Sequence, residues 1–176
     1  MSFWQRWFGS GAKPQTLFGS GPTPRPDPSQ PAAARPFTPI PFRRVIICAG
    51  PSRAKTEVAE ECKRSFRDVD ILVCSNATDI EQQLCRYQKI SPMLQYFFGE
   101  HPTGSMAAQA WSPRFMKALA AQRGTLEHKP NVTMKINKDT GGVFLVCAWD
   151  PSTQVRPADV LTFTMAVETA FAQAGW

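Results

Sequence analysis

One stretch limits what this chain can fold into more than any other: Arg43 to Thr78, RRVIICAGPSRAKTEVAEECKRSFRDVDILVCSNAT. Val45-Ile46-Ile47-Cys48 is short, rich in β-branched residues and closed by Ala49-Gly50-Pro51, the pattern of a buried strand. Ser52 stands where a helix cap belongs. Ala54, Val58, Cys62 and Phe66 then recur every four residues, one apolar stripe among Lys, Glu and Arg. Ile71-Leu72-Val73-Cys74 repeats the strand pattern and ends in a polar loop. A strand-helix-strand unit of this length is nearly always a right-handed crossover, which makes the two strands parallel neighbours.

Each apolar run carries its cysteine after three apolar residues, so equivalent registers bring Cys48 and Cys74 together at the carboxyl ends of adjacent strands. That edge of an open α/β sheet is where ligands bind. The pair is a disulfide candidate, and the other reading is two reduced thiols packed as small apolar groups.

Downstream, Asp79 to Tyr87 reads as a helix with Thr78 as its cap. Ser91 to Phe98 reads as a second helix opened by Ser-Pro and stopped at Gly99, and a third follows Ser112-Pro113 and ends by Gly124. Val132 to Ile136 alternates apolar and polar residues, Asp139 to Gly142 is a turn, and Val143 to Trp149 is the partner strand. A last helix runs from Pro157 to about Gln173, with Asp159 in its first turn. Apolar residues cover most of its circumference, so a second contact surface is expected.

The first 42 residues have a different character. Phe3, Trp4, Trp7 and Phe8 make an aromatic face, and Phe-Gly-Ser-Gly occurs at Phe8 and again at Phe18. These five aromatics are candidate partner-binding residues, two weak docking peptides that gain from sharing one tail. Eight of the twenty residues from Pro22 to Pro41 are proline, which predicts an extended strap.

Residues 1 to 56 hold eight of the chain's twenty Lys and Arg but one of its fourteen acids, Asp27. Electrostatic attraction to RNA, an anionic membrane surface or an acidic partner therefore belongs to the front third. Five cysteines without framework spacing fit an intracellular or organellar protein better than a disulfide-stapled secreted one. No apolar run approaches the roughly 18 residues of a membrane-spanning helix.

The order β-α-β, helical, β-hairpin, α resembles the thioredoxin-like fold. That resemblance makes Pro130, just before the third strand, a cis-proline candidate. It divides the chain into a tail (1–42) and an α/β domain (43–176) with a helical insertion at about 101–128. Arg44, Cys48, Ser52, Cys74, Ser75, Pro92, Leu94, Tyr96, Phe98, Gly99 and Glu100 resemble the small thioredoxin-like accessory subunit of mitochondrial respiratory complex I, a family shared with mitochondrial ribosomal proteins.

The resemblance implies a non-catalytic subunit on the matrix side of the inner membrane, with no cofactor and no small-molecule substrate, its partners being other subunits of a large complex. In the ribosomal alternative the partner is RNA. Thioredoxin chemistry is disfavoured because Pro51 stands three residues after Cys48, where the second cysteine belongs. A thiol enzyme remains as the third reading, since Cys48-Ala-Gly-Pro-Ser-Arg53 has the spacing of a rhodanese persulfide loop. His101 and His128 have no partner at metal-ligand spacing.

Overall fold

Five consecutive residues, Val45 to Ala49, are fully buried, which requires a strand covered on both faces. They form the carboxyl half of β1 (Ile40–Ala49) in a computed structural model that describes residues 37–176, with a compact unit from Pro39 onward. α1 (Ala54–Ser65) leads back to β2 (Asp70–Cys74), parallel to β1 and beside it, as the sequence requires. α2 (Ala77–Leu84) then carries the chain to β3 (Tyr87–Glu100), parallel to β1 on its other side. α3 (Ser105–Gln122), the hairpin β4 (Asn131–Ile136) and β5 (Gly142–Ala148), and α4 (Pro157–Ala174) complete the described residues. The sheet order is β2-β1-β3-β5-β4, with β5 antiparallel to both neighbours.

The class is mixed α/β, as expected, but the element order differs from the one anticipated. Ser91 to Phe98 is not a helix; it is the heart of β3, a 14-residue strand buried from Ile90 to Phe98. Pro92 sits inside it without breaking a ladder. Ile90 exchanges backbone hydrogen bonds with Val155, and Pro92, two residues on, turns the same way, into the gap before the first β5 pair, Met93 with Ala148. No donor is needed there.

α2 starts earlier than expected, capped by Asn76, whose side chain accepts from the Asp79 amide. It also ends earlier, so Tyr87 opens β3. Pro113 does not start α3; it lies inside it.

The two faces of the sheet are layered unequally. On one face α2, α3 and α4 pack together over Val45, Ile47, Ala49, Leu94, Tyr96 and Leu145. α3, in the stretch expected to be an insertion, supplies Trp111, Phe115 and Leu119 to this core, each essentially inaccessible to solvent. α4 lies between α2 and α3 and against β3. Part of its broad apolar circumference is used within the unit, since Val160, Phe163, Val167 and Ala170 are fully buried, whereas Met165 is exposed and Leu161 half-buried. Rings close this layer, with Phe98 stacked on Phe171 at 5.1 Å and the terminal Trp176 perpendicular to Trp111 at 4.9 Å. On the opposite face α1 packs on β1, β2 and β3.

Candidate functional site

The chain leaves β1 for α1 on one face of the sheet and leaves β3 for α3 on the other. The carboxyl ends of β1 and β3 therefore flank a topological switch point, the place where open α/β sheets bind ligands.

The loop at this point, Gly50 to Arg53, is held by backbone. Gly50 has φ +108°, and a Cβ placed on it would lie 2.3 Å from the Phe97 carbonyl oxygen. The Ser52 amide donates to that same oxygen at 3.3 Å. Lys55 Nζ donates to the Gly50 carbonyl at 2.6 Å and reaches Ser75 Oγ at 3.4 Å, joining the ends of β1 and β2. The Ser75 amide donates to Asp79 at 2.7 Å. Glu168, from α4, accepts from the Ala77 amide at 2.9 Å and from the Tyr96 hydroxyl at 3.3 Å. Burial and then the Glu168 carboxylate push the Tyr96 phenol above its ordinary value.

Beside the loop lies a cleft of about 210 Å³. Ser52 and Ala54 form one wall, and Phe97, Gly99, Glu100 and Phe144 form the floor and the other wall, with the β4–β5 turn as rim. A β-bulge shapes it. Phe97 pairs with Phe144 and Gly99 with Val143, leaving Phe98 as the extra residue. Phe98 turns into the helical core, while Gly99, at φ +105°, swings Glu100 to the cleft mouth. Phe97 and Phe144 stack at 5.2 Å with 18° between their planes.

The proposed thiol pair is not formed. The register sets Cys48 opposite Val73 and Ala49 opposite Cys74, one residue away from the alignment that would join the cysteines. Neighbouring residues of a strand face opposite ways, so the two thiols lie on opposite faces of the sheet. Both are free. Cys74 joins the core under α2 and α4, where burial and then Asp79 push its thiol up to about 12. Cys48 instead meets Cys62 of α1: the hydrogen bond to Cys62 and then burial hold the Cys48 thiol far above its ordinary value. The same bond holds Cys62 below its own.

Pro130 is buried before β4, but its peptide bond is trans, since no cis bond occurs among the described residues. The chain turns here without a cis bond, pinned by Trp149 Nε1, which donates to the His128 carbonyl at 3.1 Å. His101 packs on Trp176 at 4.8 Å. Phe3, Trp4, Trp7, Phe8 and Phe18 lie outside the described residues. Sequence reasoning missed the cleft altogether, although Gly99-Glu100 after an aromatic run and the double glycine Gly141-Gly142 are its visible traces.

Comparison of the chain with protein families, curated proteins and solved structures finds no match.

Proposed function

We propose that this chain is a non-catalytic binding subunit of a larger assembly. The observation that carries the reading is how the polar groups at the carboxyl edge are used. Lys55, Ser75, Asp79 and Glu168, the residue types from which a catalytic site would be built, each hold a loop or a helix start.

A persulfide-forming thiol must ionise and meet substrate, whereas Cys48 is fully buried with its ionisation opposed. That geometry disfavours the sulfurtransferase reading, and transfer of sulfur from thiosulfate to cyanide is the direct assay for it. The sequence resemblance names mitochondrial complex I as the first assembly to test. Its support is now concentrated in Arg44 to Ser75, because Pro92 to Glu100 belong to a strand where a helix was expected. The basic front third keeps the mitochondrial ribosome as the second reading.

Fractionation of tagged full-length chain separates them. Co-migration with NADH dehydrogenase activity on native gels supports the first reading. Co-sedimentation with ribosomal RNA, lost on RNase treatment or in high salt, supports the second. A stable monomer that follows neither overturns both.

A further inference from the structure

We infer that the cleft at the switch point takes the side chain of an arginine presented by a partner polypeptide; this rests on the proposed binding role and gives that role a contact point. Three observations select the ligand class. The Glu100 side chain, exposed at the mouth, forms no ion pair or hydrogen bond among the described residues, so a carboxylate stands ready for a cation. Phe144 is half-buried and backed by the stacked ring of Phe97, a flat π surface of the kind on which guanidinium groups lie. The walls at Gly99 and Gly142 carry no side chain, and a Cβ at Gly99 would point across the gap to within 3.8 Å of Ser52 Cβ. The space is kept open by glycine.

Size selects the form in which the ligand arrives. At about 210 Å³ the cleft is smaller than the roughly 300 to 1,000 Å³ of sites that enclose a whole small molecule. It has room for one side chain whose backbone stays outside. A planar guanidinium then faces Phe144 while its N–H groups reach the Glu100 carboxylate. Lysine satisfies the charge but not the flat stacking surface.

The test uses full-length, isotope-labelled protein titrated with N-acetyl-arginine amide, its neutral isostere N-acetyl-citrulline amide, and N-acetyl-lysine amide, read by amide chemical shifts. Saturable shifts are expected at Ser52, Gly99, Gly142 and Phe144 with the arginine probe. Binding should weaken about tenfold in Glu100→Gln and by roughly threefold or more in Phe144→Leu. Glu100 is a surface residue, so its variant should keep the wild-type spectrum elsewhere, and Phe144→Leu serves as the independent second variant.

Equal response to citrulline, shifts confined to other residues, or no shift overturns the assignment. If those shifts are absent while the chain still co-fractionates with an assembly, the cleft assignment falls and the binding role stands. If the arginine shifts appear in a chain that remains monomeric in its native extract, the cation site stands and a polypeptide source is overturned.

Discussion

Replacing Gly50 by alanine should be among the most damaging single-methyl changes in the protein. Two costs add. At φ +108° an L-residue is strained, worth about 1 to 3 kcal/mol. The new Cβ would also lie 2.3 Å from the Phe97 carbonyl oxygen and 2.9 Å from its carbonyl carbon and amide nitrogen. These are backbone atoms of a central strand, so relief requires β1 and β3 to separate, at roughly 1 to 3 kcal/mol more. The total of about 2 to 6 kcal/mol is a large share of the roughly 5 to 15 kcal/mol that holds a domain together.

Two other glycines dissect the sum. Gly104 has φ +89°, and a methyl group added there would meet nothing within 4 Å, so Gly104→Ala should show the backbone cost alone. Gly124 has neither a positive φ nor a neighbour within 4 Å, so Gly124→Ala should be neutral or stabilising by up to about 1 kcal/mol. Urea unfolding followed by far-ultraviolet circular dichroism measures all three, with unchanged m-values as the condition for comparison. Equal midpoints for Gly50→Ala and Gly104→Ala would refute the close approach of the loop to β3.

Under native conditions Cys85, the exposed thiol, should react promptly with an alkylating reagent, while Cys48, Cys62, Cys74 and Cys147 react only on unfolding; mass mapping that finds Cys48 or Cys147 labelled as fast as Cys85 contradicts the packing. Glu168→Ala strips the Ala77 amide and the Tyr96 hydroxyl of their acceptor and should cost roughly 1 to 3 kcal/mol, with Glu168→Gln recovering part of it in the same urea assay. Burial and then the hydrogen bond to Asp70 push the Tyr87 phenol up to about 12, against about 10 in the unfolded chain. The folded state thus keeps a proton that the unfolded state has lost between those values. Stability carried by this group is complete below about pH 10 and falls as pH rises toward 12, and Tyr87→Phe should flatten that part of a stability–pH curve.

The parts of the fold that sequence made legible are those with a single period and a clear stop. β1, β2, the β4–β5 hairpin and α4 fall close to where their patterns place them. β3 was hidden because a central strand is apolar on both faces and shows no alternation, and because Ser91-Pro92 imitates a helix start. The Ser-Pro signal misled again at Pro113, where the true start is eight residues upstream at Ser105, behind Gly104. The candidate site failed on register. Equal position along two strands puts Cys48 and Cys74 in the same place only if the strands align without offset, and an offset of one residue reverses the facing of every side chain. The cleft was invisible for another reason: its walls come from the β1–α1 loop, the end of β3 and the β4–β5 turn, brought together by a bulge that no local pattern announces.

The place of β3 between a parallel and an antiparallel neighbour also bears on how the chain is made. Once Glu100 has left the ribosome, β1, β2 and β3 can associate, because all three precede it. The far edge of β3 then waits, apolar from Met93 to Phe98 except at Gln95, until β5 is synthesised a long helix and a strand later. Synthesis at roughly 5 to 20 residues per second makes that wait last seconds. An unpaired edge of this kind is a template for another chain. Before β5 emerges, α3 can shield only the end of β3, where Trp111 and Phe115 meet Phe98, because the helix that packs on β3, α4, is made last.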